Sequence, residues 1–431
     1  MFAYAPFMRA WQLTLAFSIG AAHVAGACGH DANPAQDAVA VDASTIVDGP
    51  ATPCTPGQAL SCTGAGGCSG VQVCQGNGNG YNACACETAT FPAWRQGMAP
   101  WQWKEIPTTS LSAVTPPQNT GGGFYGRLDA WNGVAADERS LYLAASGGHA
   151  DYAGNEVYQM DLNVDAPTWI ILRQPTPANQ IMLDVAHYAD GRPTSSHNYY
   201  NLHFVRSLNR VFRFGVGSAW GSGNHNVGNT DAFAVANNDW DPANTYGMTN
   251  EGQYARAVCL DPRNEHVFAT GNTRLRRFDP ATKAWTDAAT WPDNGSAVYY
   301  TPCAVDPVRN RVLFFGDVYQ TNAGGLAYDI TNNAFTKITF TGNTAGVIGS
   351  HAAMAYYEPA LSSFVVKTAT HGDLYNIDPV TLAVAPLATS NGAAVPNAVN
   401  GVYTKFVYVP RLKGYAYTPG TSSNVWFLAL P

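Results

Sequence analysis

Acidic residues outnumber basic ones by 30 to 23 over 431 residues, a formal net charge of −7. That balance excludes nucleic acid as a partner, because phosphate binding needs a basic face. The 42 glycines and 27 prolines break the chain into short alternating segments, and no long stretch beyond the N-terminus has helical apolar periodicity, so the sequence reads as all-β.

Residues 1–27 read as a signal peptide. Arg9 precedes an apolar run over 10–22, and Ala25-Gly26-Ala27 has the small-x-small form of a cleavage site. Cys28 follows directly, so Ala25-Gly26-Ala27-Cys28 also resembles a bacterial lipobox, with Ala25 standing where lipoproteins usually carry Leu. Either lipidation at Cys28 or free secretion is expected, and both export the chain. Residues 28–53 carry no Lys or Arg and little apolar surface, and are expected to form a disordered acidic linker.

Residues 54–90 hold six cysteines, Cys54, Cys62, Cys68, Cys74, Cys84 and Cys86, among glycines and polar residues. An even count in so short an exported segment implies three disulfides of undetermined connectivity, which replace the missing core. A zinc site competes poorly, since there is no paired CxxC and His30 is the nearest histidine. The pattern resembles the stalk modules of bacterial surface lipoproteins, which implies a spacer.

Residues 91–431 form the main domain. Its clearest unit is 141–172, where Leu141-Tyr142-Leu143 runs into Gly147-Gly148, then Glu156–Asp161 alternates, then Trp169-Ile170-Ile171-Leu172 closes. This order of apolar strand, double glycine, polar loop, Tyr-x-x-Asp strand and Trp strand resembles the kelch repeat, one blade of a β-propeller. Six tight hairpin turns are expected at 136–139, 206–209, 261–264, 306–309, 358–361 and 409–412. Aspartates at Asp161, Asp279, Asp329 and Asp378 precede later strands that bear Trp169, Trp285, Phe335 and Val384. Six blades are expected, with seven as the alternative if a long connection hides one. The last blade lacks a fourth strand, and Trp101–Pro107 is expected to supply it and close the ring. Cys259 and Cys303, in first strands of adjacent blades, are expected to be buried thiols, too far apart to bridge.

In such a fold, the loops leading into first strands and those between second and third strands share one face. That face should carry His149, His197, Tyr200 and His351 as acid–base candidates, with Arg256 to neutralise a substrate carboxylate. Trp131, Asn132, Asp151, Tyr152, Asn155, Tyr254, Tyr300 and Lys405 are its ligand-binding candidates. Stacking aromatics and amides suit an extracellular carbohydrate or protein, and kelch resemblance implies binding more often than catalysis. The alternative is a polysaccharide lyase that uses His and Tyr for proton transfer beside a neutralised uronate. A copper radical oxidase of the galactose-oxidase kind is not expected, because the chain has only the reversed His187-Tyr188. No Gly-x-Ser-x-Gly elbow points to a serine hydrolase. A divalent metal on the histidine face is the one cofactor left open. The protein is expected to be a monomer that meets a membrane only through a lipid anchor.

Overall fold

Short strands with apolar residues at every position, such as Leu141-Tyr142-Leu143-Ala144, cannot face water on either side, so they must lie between other sheets. The computed structural model describes residues 53–64, 69–86, 90–118, 123–221, 226–248, 255–271, 273–292, 300, 302–315, 324–347 and 352–431. The expected signal peptide, Cys28 and nearly all of the linker therefore lie outside the described residues. The described residues are all-β, with short 3₁₀ turns and no α-helix among them. None of their helices is long and apolar enough to cross a membrane.

Six antiparallel sheets follow one another along the main domain, in an arrangement consistent with a β-propeller-like fold. Sheet one comprises Ala135–Ala136, Ser140–Ala144, Val157–Asp161 and Trp169–Arg173. Sheet two comprises Leu202–Val205, Arg210–Ala219, Val227–Ala234 and Asp239–Trp240, with Ser196–His197 paired to the end of its second strand. Sheet three runs from Val258–Leu260 through Val267–Thr270 and Arg274–Asp279 to Ala284–Thr290. Sheet four runs from Cys303–Asp306 through Arg311–Phe314 and Gly324–Asp329 to Ala334–Thr339. Sheet five comprises Met354–Glu358, Ser363–Lys367, Leu374–Ile377 and Ala383–Leu387, with Thr341–Gly342 parallel to its last strand. Sheet six comprises Phe406–Val409, Gly414–Tyr417 and Val425–Ala429. Its fourth strand is Trp103–Ile106, where Glu105 faces Trp426. Burial falls outward within a sheet. Cys303–Asp306 is fully buried, whereas Ala284–Thr290 has no buried residue.

The repeated acidic residues have a local cause. Asp161, Asp279, Asp329 and Asp378 each accept the backbone N–H two residues on at 2.8 Å, closing an Asx turn into the outermost strand. The hairpins do likewise: Asp137, Asp261, Asp306 and Glu358 each accept the N–H of the residue two ahead.

A second repeat carries no sequence signature. Trp131, Tyr199, Ala255, Tyr300, Ala352 and Tyr403 all have φ between 45° and 60°, one ahead of each first strand. Their peptides are chained. Tyr199 donates its N–H to the Trp131 carbonyl at 2.9 Å, Tyr300 to Ala255 at 2.9 Å, Ala352 to Tyr300 at 2.7 Å and Tyr403 to Ala352 at 2.9 Å. Each left-handed non-glycine residue costs about 1–3 kcal/mol, which the packing around it must offset.

The cysteine module is a three-stranded sheet of Ala59–Thr63, Ser69–Val73 and Ala85–Cys86. Cys54 bonds Cys74 and Cys62 bonds Cys84; Cys86 is also disulfide-bonded, and Cys68 lies outside the described residues. The module packs on sheets one and two. Buried Gln159 donates from Nε2 to the Ala59 carbonyl at 3.1 Å and accepts the Ala59 N–H at 3.2 Å. Leu60 packs among Leu172, Val211 and Val235. The expectation of free thiols at Cys259 and Cys303 is corrected: they form a disulfide. First strands of adjacent sheets approach closely enough here, with 5.6 Å between the two Cα atoms, for the bridge to form. These disulfides suit an oxidising compartment.

Candidate functional site

The site starts from Gly147 and Gly148, which follow the second strand of sheet one. Gly148 has φ 77°, and a Cβ there would lie 2.4 Å from both the His197 nitrogen and the Ser218 carbonyl oxygen. Only glycine lets this loop press against the Ser196–His197 strand. His149 follows with φ 42°, donates its N–H to the Ser218 carbonyl at 2.9 Å and accepts the Gly221 N–H at 2.9 Å. Its backbone is pinned while its side chain stays half-buried.

His197 stands at the centre. Its Nε2 is 2.8 Å from Asp151 Oδ2, and its Nδ1 is 3.2 Å from the Tyr199 hydroxyl. The Trp131 ring lies 4.9 Å away and the His149 ring 6.2 Å away, centre to centre. Burial pushes the His197 imidazole below its ordinary pKa, and the Asp151 carboxylate opposes that only in part. The ring is therefore neutral at pH 7. A carboxylate only accepts, so Nε2–H donates to Asp151 and Nδ1 accepts the Tyr199 hydroxyl proton. The Asp151 side chain is 36% exposed, so this chain of polar atoms begins at solvent and ends at Tyr199. Tyr199 in turn packs edge-on against Tyr403 at 5.3 Å and Tyr300 at 6.3 Å.

A buried scaffold holds His197 from both sides. Asn132 accepts the Asn198 N–H at 2.7 Å and donates to the Gly126 carbonyl at 3.2 Å. Asn198 donates to Ser146 Oγ at 2.7 Å and to the Ala144 carbonyl at 3.0 Å. Arg213 donates to Ser196 Oγ at 3.0 Å and to Asp231 Oδ2 at 2.7 Å, and His187 meets the other Asp231 oxygen at 2.8 Å.

The structure thus brings together His149, His197, Asp151, Trp131 and Tyr300 of the expected residues. Asn132 supports them from beneath. Others are engaged elsewhere: Tyr152 donates to Glu156 at 2.8 Å, and Asn155 donates to Thr176 Oγ1 at 2.9 Å and to the Pro193 carbonyl at 2.7 Å. Tyr200 is fully buried and donates to the Ala353 carbonyl at 2.8 Å. Lys405 is buried on the carbonyls of Val399 and Gly401, and burial pushes its ammonium down to about 7. Arg256 is 3% exposed. Tyr254 and His351 lie outside the described residues. Tyr199 was absent from the expected set, and nothing local marks it, since its place depends on the left-handed turn ahead of the first strand.

Among the described residues no three His, Cys, Asp or Glu side chains come together as a metal site. No protein-family model and no curated protein matches this chain.

Proposed function

We propose that this chain is an exported, kelch-like propeller of six blades, closed by Trp103–Ile106, that binds an extracellular carbohydrate through the face around His197. The observation that carries the reading is the Trp131 ring lying against His197 at 4.9 Å and tilted by 38°, with Asp151 partly exposed beside it. A half-buried indole offers a flat apolar surface to one sugar ring, and an adjacent carboxylate accepts from its hydroxyls. The ring of six left-handed residues and the strand pairing of Glu105 with Trp426 support the six-blade closure. The disulfides and the leader-like N-terminus support export, with Cys28 lipidation as the candidate tether.

Retardation of the purified mature protein in gels containing neutral or acidic polysaccharides tests this. Trp131→Ala is expected to weaken retention about tenfold, roughly 1.4 kcal/mol. Retention by no glycan, with pull-down of an extracellular protein instead, would move the reading to a protein partner.

The Asp151–His197–Tyr199 chain favours one second reading, a lyase acting on a uronate-containing glycan. Such a site needs a group that takes a proton beside a carboxylate, and a neutral imidazole already linked to a tyrosine hydroxyl supplies that chemistry. A rise in ultraviolet absorbance from unsaturated uronate, abolished in His197→Gln, is the outcome that reading requires.

A further inference from the structure

A pit of about 550 Å³ lies in the middle of the sheet array, away from the His197 face. First strands of all six sheets wall it, among them Ala136, His203, Leu260, Ala304, Tyr356 and Val407. Its mouth is set by the hairpin prolines Pro262, Pro307, Pro359 and Pro410, so it opens on the side of the first-to-second-strand turns. The other end is shut. Tyr200, two residues ahead of Leu202, reaches from sheet two to the Ala353 carbonyl next to Met354 of sheet five. The Tyr403 ring lies 5.1 Å from that of Tyr200 and thickens the floor. The pit and the His197 face are therefore separate sites.

The charges near the mouth are mostly committed. Arg206 pairs with Glu138 at 2.9 Å, and Glu265 accepts the N–H groups of Arg206 and Ser207 at 2.7 and 2.8 Å. Glu358 accepts the Tyr415 hydroxyl at 2.9 Å and the Ala360 N–H at 3.0 Å. Lys413 is exposed at the rim. The walls inside are the uncharged Leu260, Ala304, Met354, Val407 and the ring of Tyr356, and Pro431 also lines the pit. The Cys259–Cys303 disulfide ties two of the walls together, so the pit is held open without a ligand.

We propose that this pit is a second binding site, for one uncharged, compact, mainly apolar molecule. Its volume falls in the range that preformed small-molecule sites occupy, and such sites are lined mainly by hydrophobic and aromatic side chains. Tyr356 has exposed surface although protein surrounds it, so its ring is placed to stack on the guest.

The test is a titration of the mature protein with the neutral fluorophore N-phenylnaphthylamine. Saturable one-site binding is expected. Ala136→Phe and Leu260→Trp, which fill the pit from different sheets, should each weaken it at least tenfold, and Trp131→Ala should leave it unchanged. Absence of saturable binding, or equal binding by folded pit-filled variants, overturns the proposal. Xenon-pressurised crystals give a readout that needs no variant: a xenon atom between Leu260 and Tyr356 is expected, and an empty pit refutes the site. Absence of glycan retention by the parent protein, with its dye binding intact, would sink the carbohydrate reading alone.

Discussion

His197 shows how burial sets the chemistry of a single residue. Its imidazole titrates below the ordinary histidine range because desolvation outweighs the attraction of Asp151. Burial pushes His203, beneath Tyr200, down to about 4. The unfolded chain binds protons on both rings at higher pH than the folded one does. The stability these two rings contribute should therefore be complete above about pH 6.5 and should fall as the pH drops toward 4. Thermal melts at pH 7 and pH 5 check this, and the difference should shrink in His203→Gln. Lys405 has the same sign over a higher window. With its folded value near 7 and an ordinary value of 10.5, it favours a gain in stability between pH 7 and pH 9.5. Lys405→Met should reduce that rise, to which the similarly buried Lys367 also contributes. Much of the site was legible at this scale. Trp131, His149, Asp151 and His197 lie in loops whose place follows from the repeat. Tyr199 was not, because its neighbour Tyr200 looks the same in sequence and only the backbone turn decides which hydroxyl meets His197.

Among elements, the turns were the most legible. An Asp or Glu that caps its own turn two residues on is a local contact, so its spacing survives in the sequence. The six left-handed residues are equally regular but were invisible, because Trp, Tyr and Ala occupy positions where glycine would have signalled positive φ. Gly148 is the contrasting case. Gly148→Ala adds a Cβ against the His197 and Ser218 backbones at φ 77° and should cost about 2 kcal/mol or more. Glycan retention should fall with it, because the loop that carries His149 and Asp151 must shift. The Cys259–Cys303 bond was misjudged for the opposite reason. It joins two sheets, and no local pattern reports the distance between them. Replacing both by Ser should lower unfolding free energy in denaturant melts by about 2–4 kcal/mol, as expected for a bridge closing a loop of this length. A melt unchanged by the double substitution would show that the two sheets hold without it.

For the molecule as a whole, the question is what keeps six sheets in one array. Trp103 is fully buried in the fourth strand of sheet six and donates from its indole to the Gly372 carbonyl at 3.2 Å. It thus fastens sheet six to the loop after the second strand of sheet five. Trp103→Ala should cost about 3–5 kcal/mol. Deleting Trp101–Pro107 should abolish the single cooperative melt, and a deletion variant with the parent melting temperature would refute closure by this strand.

The pairing of Trp103–Ile106 with Val425–Ala429 also governs timing. During synthesis the early strand is made long before its partner exists, and five sheets must wait beside it with one edge unpaired. Folding to completion is then gated by a long loop closure, and it should be slow. The chain proposed above to be exported would benefit from that delay while it crosses a membrane unfolded. The same delay exposes it to aggregation, so its yield should depend on chaperones and on temperature during synthesis more than on the stability of the finished protein.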